Sequence, residues 1–324
     1  MQTFEYSNPA TLREAAGLLG ASWGEADVLA GGTDLISLMK DYLHTPKRVV
    51  NIKSIRDLAG ISRSAAGLRI GATVTMDELA SSPEVRAGWR ALADAAEGIP
   101  SPQIRHMGTV GGDLCQRPRC WYYRQGFGLL AMKNGKSLVV GGENQYHAIF
   151  GGGPAYFVSA SSLGPALVAL GAKVKLVSAK GSREIAVKEF FVAPRDENTR
   201  EIALRPDEIL TEILVPPVMH SATYEVRQKE ALDWPLAAAA VAIHMKGTAV
   251  GSARIVLGHV APTPWEATAA GDGLAGKTIT AAVAEEAGKV AVEGAQPLSH
   301  NAYKITLAKT AVKRALLEAA KARA

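Results

Sequence analysis

Apolar positions in the first 52 residues switch between helical and strand spacing. Residues 9–20 repeat apolar side chains with the period of a helix, and residues 27–30 form a short apolar strand. A second helix is expected to end near Lys40, and residues 48–52 resemble the next strand. This part of the chain therefore predicts strands that alternate with helices.

The alternation continues beyond this first part. Residues 68–72 predict a strand, and a helix is expected over 76–80 with Thr75 or Asp77 as its cap. Residues 98–160 are rich in glycine and proline, which predicts loops. Between Ala166 and Leu176 a helix gives way to a strand.

The pair Pro216-Pro217 marks a break, and we expect a C-terminal domain from about residue 218. The run from Pro235 to Met245 is too short to cross a membrane, and its alanines fit a buried helix or a buried strand. The remaining expected elements are strands around 223–229 and 253–260 and helices over 278–292 and 302–322.

Composition is that of an ordinary globular protein. The 324 residues are 48% hydrophobic and 21% charged, with a formal net charge of +5. The small basic excess is scattered, so it gives no case for nucleic-acid binding. The chain has two cysteines and neither a leader-like N-terminus nor a long apolar run. We therefore expect a cytoplasmic protein without a membrane span, although export with a signal-bearing partner stays open.

Two glycine loops carry the candidate chemistry. The first follows the strand at 27–30, and the second lies about 80 residues later. Paired glycines let neighbouring N–H groups converge on one anion, so the two loops together favour a site for one diphosphate-bearing cofactor. The alternative for the first loop is an ordinary tight turn without a ligand, in which Thr33 or Asp34 caps a helix. The residues proposed from the loops are Leu29, Ala30, Gly31, Gly32, Thr33, Asp34 and Leu35, with Thr109, Gly111, Gly112 and Asp113.

These loops, Ala30-Gly31-Gly32-Thr33-Asp34 and Thr109-Val110-Gly111-Gly112-Asp113-Leu114, resemble the FAD motifs of the flavoprotein subunits of molybdenum hydroxylases. The similarity extends over the whole chain, including residues 190–191, 207–213 and 227–237. The family includes the medium subunit of carbon monoxide dehydrogenase and the flavin domain of xanthine dehydrogenase.

The resemblance implies an α+β fold. A two-lobed FAD-binding domain of the vanillyl-alcohol-oxidase-like (PCMH) type is expected over residues 1–217, with lobes at about 1–55 and 56–217 and a loop insert at about 115–155. A C-terminal α/β domain of the carbon monoxide dehydrogenase flavoprotein type would follow over 218–324.

The function implied is electron relay. A small subunit with [2Fe-2S] clusters would deliver electrons from a molybdopterin centre in a large subunit, and the FAD of this chain would pass them to an external acceptor. No side chain is expected to be catalytic, because FAD carries the chemistry. The family also points to Ser162, Leu163 and Lys229 as cofactor contacts.

Three departures from the family narrow these expectations. The segment around Cys115 and Cys120 resembles a branch of aldehyde oxidoreductases in which some members hold a [4Fe-4S] cluster, but Ser137 and Ala155 stand where that branch has cysteine. A cluster needs four thiolates, so we predict none, and we expect Trp121, Tyr122 and Tyr123 to anchor the insert as a packed loop. Ser162 replaces a carboxylate, and Glu225 replaces a basic residue for which Arg227 or Lys229 would substitute.

One motif is misleading. Residues 271–278 match both dinucleotide and ATP loop patterns, but the preceding Trp265–Ala270 segment is predicted to be a helix rather than a strand, so we reject a P-loop ATPase.

The seven histidines lack metal-ligand spacing, and no metal site is predicted. The alternatives kept open are a non-redox module that binds a nucleotide or phosphate through the same loops, and a free-standing flavin oxidase.

Overall fold

The computed structural model describes residues 1–218, 220–229 and 232–321. A small parallel sheet forms the first part of the molecule. Its elements are β1 (Glu5–Ser7), α1 (Leu12–Gly17), β2 (Ala26–Leu29), α2 (Leu35–Lys40) and β3 (Arg48–Asn51). The strand order is β1-β3-β2, with Tyr6 opposite Val49 and Val28 opposite Val50. Since β2 runs straight into the first glycine loop, this sheet positions the loop.

A five-stranded antiparallel sheet forms the second part. Its elements, after a short 3-10 helix (Arg56–Leu58), are β4 (Ile61–Ser64), β5 (Gly67–Gly71), α3 (Met76–Ser81), α4 (Pro83–Gly88), α5 (Arg90–Glu97), α6 (Pro102–Met107), α7 (Val110–Cys115), α8 (Trp121–Arg124), β6 (Met132–Lys133), β7 (Lys136–Ser137), α9 (Leu163–Ala169), β8 (Lys173–Ser178), β9 (Gly181–Ala186), α10 (Val187–Phe190) and β10 (Ile209–Val215). The strand order is β4-β5-β10-β8-β9, and β6 pairs with β7 in a separate hairpin. In the second glycine loop, Thr109 caps α7 and the residues from Val110 to Leu114 are helical, so the loop expected there is the first part of a helix.

The last part is a four-stranded antiparallel sheet covered by helices. Its elements are β11 (His220–Val226), β12 (Ala237–Lys246), β13 (Ala249–Gly258), β14 (Trp265–Glu266), α11 (Thr268–Asp272), α12 (Ala281–Ala291) and α13 (Tyr303–Lys321). The strand order is β11-β12-β13-β14. The expected combination of helices with mainly antiparallel sheets, an α+β fold, is confirmed.

Strand β12 shows that the alanine-rich run from Pro235 to Met245, expected to be a buried helix or a buried strand, is a strand. Ala240 and Ala242 belong to the large core built on the five-stranded sheet, whereas Ala239 and Val241 belong to the core beneath α13. Because both faces of the strand are buried, its sequence lacks the polar alternation that identifies a half-exposed strand. The run is therefore a strand that lies between two cores.

Most expected elements are present, with bounds that differ for local reasons. Helix α1 is shorter than 9–20 because Thr11 and Glu14 form a capping box that starts it at Leu12. Thr75, not Asp77, caps α3 through a bond from the N–H of Glu78. The strand expected to reach 229 ends at Val226.

The helix expected over 265–270 is wrong. Trp265 pairs with Leu257 of β13, and α11 begins only at Thr268. The rejection of the P-loop is nevertheless confirmed, because residues 271–278 connect α11 to the Thr280-capped helix α12, and no strand leads directly into them.

The glycine-rich insert is packed against the C-terminal region. Buried Lys304 donates from Nζ to the carbonyl oxygens of Tyr146 at 3.2 Å, His147 at 3.2 Å and His259 at 2.7 Å. Asn301 adds bonds from Nδ2 to the carbonyls of His147 and Ala148. These side chains fix residues 146–148 to the start of α13, a connection that no sequence pattern predicted.

Replacing Lys304 by Met should destabilise the protein. The substitution leaves the carbonyl groups of Tyr146 and His259 without their donor, while that of His147 keeps the bond from Asn301, so the free energy of unfolding should fall by about 2 kcal/mol. Urea unfolding followed by circular dichroism measures this loss. The exposed Lys321→Met variant is the matched control, and equal stability of the two variants would contradict the role of Lys304.

Two buried histidines should make the fold sensitive to acid. Burial, with a smaller contribution from Lys304, lowers the pKa of His147 to about 4 and that of His259 to about 3. Both therefore stay neutral in the folded state, while the unfolded chain takes up protons below a pKa of about 6.5. Their contribution to stability is complete above that pH and is lost as the pH falls.

A single variant tests this sensitivity. His259 has a left-handed φ of 59°, which Asn tolerates, so His259→Asn removes one titrating group without a backbone conflict. The pH dependence of the unfolding free energy between about pH 6 and about pH 5 should weaken by about 1 kcal/mol per pH unit. The exposed His244→Asn variant should keep the wild-type slope, and an unchanged slope in His259→Asn would disprove the assignment.

Candidate functional site

The first glycine loop presents a row of backbone donors. It leaves β2 and turns at Gly32, whose φ of 74° is a left-handed value that favours glycine. The N–H groups of residues 31–34 have no acceptor among the residues that the structure describes. Four adjacent donors of this kind suit an anionic ligand.

The second loop differs from the first in this respect. The N–H of Gly111 donates to the carbonyl of Ala72 at 2.9 Å, and the N–H of Gly112 donates to Oγ1 of Thr109 at 3.1 Å. A Cβ added at Gly111 would lie 2.9 Å from Cβ of Ala72, so the missing side chain allows close packing. The expectation that both loops donate N–H groups to one diphosphate therefore needs correction, since those of Gly111 and Gly112 are used within the chain.

The two loops lie in contact, as the sequence predicted. A Cβ added at Gly31 would lie 1.9 Å from the carbonyl oxygen of Met107 and 3.1 Å from Cα of Gly108. A Cβ at Gly108 would in turn lie 3.6 Å from Oγ1 of Thr33. The second loop thus forms the wall against which the donors of the first loop are arranged.

Two cavities meet at these loops. The lobe cavity, of about 160 Å³, lies between the parallel sheet and the five-stranded sheet, and the C-terminal cavity, of about 270 Å³, opens toward residues 232–235. Both are lined by Thr33, Asp34, Thr109, Gly112 and Gln116. The shared wall gives a single elongated site with the free N–H groups near its middle.

Most of the predicted site residues line one of the two cavities, and three do not. The lobe cavity is also lined by Ala30, Gly31, Gly32, Leu35 and Gly111, and the C-terminal cavity by Asp113 and Ser162. Leu29, Leu163 and Lys229 line neither. Leu29 packs behind Gly32, Leu163 is fully buried, and the side chain of Lys229 is exposed.

Comparison with known proteins agrees with this geometry. The family model described as the FAD binding domain in molybdopterin dehydrogenase matches residues 2–218, and that of the CO dehydrogenase flavoprotein C-terminal domain matches residues 222–319. The chain belongs to the FAD-binding subunits of the molybdopterin dehydrogenases. It is an oxidoreductase subunit with the two-part flavoprotein fold, and the resemblance seen in its motifs is confirmed.

Relatives match along nearly the whole chain. The carbon monoxide dehydrogenase medium chain of Hydrogenophaga pseudoflava is 31% identical over 97% of this chain and 96% of its own length. The aldehyde oxidoreductase FAD-binding subunit PaoB of Escherichia coli is 29% identical over 98% of this chain and 99% of its own length. A solved carbon monoxide dehydrogenase from H. pseudoflava superposes with a TM-score of 0.78 at 29% identity, covering 100% of this chain and 99% of that one.

In this flavoprotein subunit, Asp34 ties the insert to the first loop. Its carboxylate accepts the N–H of Arg117 at 2.7 Å and Nη2 of Arg124 at 2.8 Å, and it lies 3.2 Å from Nη1 of Arg119. The expected hydrogen bond between Asp34 and a phosphate or ribityl hydroxyl therefore competes with three existing contacts, in each of which the carboxylate is the acceptor or the negative partner. We assign Asp34 to holding the arginines beside the loop.

Asp113 has a similar structural task. Its buried carboxylate accepts the N–H groups of Ser162 at 3.2 Å and Leu163 at 3.0 Å, and also bonds to Ser161 and Gln116. Burial raises the pKa of Asp113, and the hydrogen bonds from Ser161, Ser162 and Leu163 act in the opposite direction. The carboxylate fixes the start of α9 against the second loop, which places Ser162 at the cavity wall.

Two basic residues, Arg119 and Arg227, line the C-terminal cavity. Arg227 donates to the carbonyl of Gly98 and pairs with buried Glu225. Burial raises the pKa of Glu225 to about 7 against the opposing influence of Arg227. Of the two substitutes considered for the missing basic residue, Arg227 is at the cavity and Lys229 is not.

Sequence reasoning missed an arginine cluster at the site. Arg117 lies 2.9 Å from Glu201 in a nearly buried ion pair, and Arg200 stacks 4.0 Å from the ring centroid of Trp23. Three arginines within residues 117–124 were a visible signal of anion binding, but only their family resemblance was used.

The two cysteines do not face a common cavity. Cys115 lines the lobe cavity, whereas Cys120 lies by His147 on another side of the insert. Ala155 packs in an apolar cluster with Tyr123 and Phe157. In the described part of the chain, no three His, Cys, Asp or Glu side chains are placed to hold a metal ion. The absence of an iron–sulfur cluster stays a prediction.

The anchors expected for the insert are in place. Trp121 packs edge-on against Tyr122 and Tyr146, and Tyr123 is buried.

Across residues 1–218, 220–229 and 232–321, no helix has the length and apolar character needed to cross a membrane.

The residues present fit FAD. A flavin dinucleotide needs donors for its diphosphate and room for a ring system at each end. Residues 31–34 offer the donors, and the two cavities extend in different directions from them.

Replacing Gly31 by Ala should strongly weaken FAD binding. The added Cβ would lie 1.9 Å from a backbone oxygen of the second loop, so the loops must separate. We expect the flavin content of the purified protein to fall at least about tenfold. Gly17→Ala is the control, because no atom lies within 4 Å of its added Cβ. Full flavin content in Gly31→Ala would show that contact between the loops is not required.

Proposed function

We propose that this chain binds one FAD across the lobe and C-terminal cavities and relays electrons within a molybdenum hydroxylase complex. The observation that carries the proposal is the row of four N–H groups at residues 31–34, which lie without acceptors among the described residues where the two cavities meet. These groups would bind the diphosphate. Thr33 and Thr109, which line both cavities, would donate hydroxyl hydrogen bonds to the phosphates or the ribityl chain.

The other site residues would act through position and charge. Gly111 and Gly112 set the wall of the site, Asp34 holds arginines near the diphosphate, and Asp113 orders Ser162. FAD supplies the redox chemistry when bound, and no side chain of this chain needs to act as acid or base. Arg227 places a positive charge at the C-terminal cavity, where it would stabilise negative charge on a bound ring system.

The partners follow from family membership. A small subunit with [2Fe-2S] clusters would supply electrons, and a large molybdopterin subunit would oxidise the substrate. The relatives named as medium chains support this arrangement. We also propose that residues 1–217 form the FAD-binding domain, that 218–324 form the C-terminal domain, and that the complex acts in the cytoplasm, since the chain has only two cysteines.

A non-redox module that binds a nucleotide is the alternative, and the flavin spectrum separates the two. We expect the purified subunit, or its complex with both partners, to be yellow, to release one FAD per chain on denaturation and to lose its visible absorption with dithionite. Spectrophotometry and chromatography of the released cofactor measure this. A colourless protein that takes up ADP but not added FAD would support the alternative.

A further inference from the structure

A third cavity lies beside the C-terminal cavity. It has a volume of about 210 Å³, and four of its walls are the rings of Trp121, Tyr146, Phe157 and Trp234. We call it the aromatic cavity. Cavities of this kind, with aromatic walls and a few polar groups, are typical of sites for small ring compounds.

The cavity floor holds polar groups that the fold leaves without partners. Sγ of Cys120 lies 3.2 Å from Nε2 of His147, but Nδ1 of His147 and Nε2 of His259 are buried and have no hydrogen-bond partner among the described residues. His259 also has a left-handed φ of 59°. Buried unpaired nitrogens and a strained non-glycine backbone cost stability, and they are concentrated at functional sites.

The charged groups around the cavity have partners within the chain, and the carboxylate of Asp233 accepts the N–H groups of Lys229 and Trp234. Nζ of Lys304 makes three bonds to carbonyl oxygens, and Arg119 is paired with Asp34 and lies 4.9 Å from the ring centroid of Trp234. Burial keeps His147 and His259 neutral, since it lowers the pKa of each to about 4 and about 3. The walls therefore favour an uncharged ligand over one that carries phosphates.

The position of the cavity connects it to the flavin site. The aromatic and C-terminal cavities share Arg119, Asp233, Trp234 and Pro235 as walls. A ligand in one is thus separated from a ligand in the other by a single layer of side chains, of which the Arg119–Trp234 stack is the largest part.

We propose that the aromatic cavity binds a small uncharged ring with hydrogen-bond-accepting oxygens, of the quinone class, as the electron acceptor. The proposal rests on FAD binding at the neighbouring site. The reduced flavin would give two electrons and two protons to the quinone, which leaves oxidised FAD and the quinol. The ring would stack between Tyr146 and Trp234, with the unpaired nitrogen of His147 or His259 toward its oxygens.

Calorimetric titration with duroquinone tests the site directly. This quinone is methylated at every free ring position, so the thiol of Cys120 has no position for addition. We expect the FAD-loaded wild type to bind one duroquinone per chain. Val158→Phe, which adds a ring inside the aromatic cavity, should weaken binding about tenfold without loss of FAD. Val140→Phe changes an exposed valine of the insert and should bind as the wild type does.

A second variant guards against a folding defect in the first. His259→Asn removes an unpaired imidazole at a backbone conformation that Asn adopts, and it should also weaken duroquinone binding severalfold. No binding by a wild type that holds full FAD, or equal binding by the wild type and both cavity variants, would overturn the proposal. Competition between NADH and duroquinone would also overturn it, because the cavity would then bind a ligand that carries phosphates. Because FAD content is measured separately, loss of the flavin function and loss of the quinone site are distinguishable.

Discussion

The contact between Gly31 and the carbonyl of Met107 sets the geometry of the site. A side chain at position 31 has no room, because its Cβ would come within 1.9 Å of that oxygen. The close approach brings together two loops that are far apart in sequence and leaves the N–H groups of residues 31–34 on the open side. Donors without partners cost about 1–3 kcal/mol each when buried, so this arrangement is stable only where water or a ligand accepts them.

The two glycine loops look alike in sequence but serve different purposes. In the first, glycine gives a left-handed turn at Gly32 and frees N–H groups for a ligand. In the second, Gly111 permits close packing on Ala72, and the N–H groups are bonded inside the chain. The same residue type thus contributes conformational freedom in one loop and absence of bulk in the other. A motif alone cannot separate these roles, because the difference depends on which backbone lies opposite.

Sequence reasoning was limited wherever the role of a segment depends on what packs against it. Periodicity identified the elements that have one buried face, such as α13, and left β12 ambiguous because both of its faces are buried. The glycine loops were found because their chemistry is local. The bonds of Lys304 to the insert join residues 158 and 157 positions apart, and no local pattern encodes them.

Strand geometry explains the choice between two basic residues. Glu225 belongs to β11, which ends at Val226, so Arg227 just beyond it still continues the alternation of the strand. Lys229 lies past the end of the strand, where that alternation no longer directs its side chain, and it is exposed to solvent. The position of a strand end therefore decided which cation reaches the cavity.

The arginines of the insert give the site its electrostatic character. Arg117, Arg119 and Arg124 of the insert, together with Arg200, form ion pairs or hydrogen bonds with the carboxylates of Asp34 and Glu201. Acidic side chains also line the two cavities, so binding of an anionic diphosphate would depend on where the arginines are placed and not on an excess of positive charge. Asp34 holds two of these arginines in place rather than repelling the ligand on its own. The insert would therefore contribute to cofactor binding through arginines placed at the cavity walls, a role that needs neither of its cysteines.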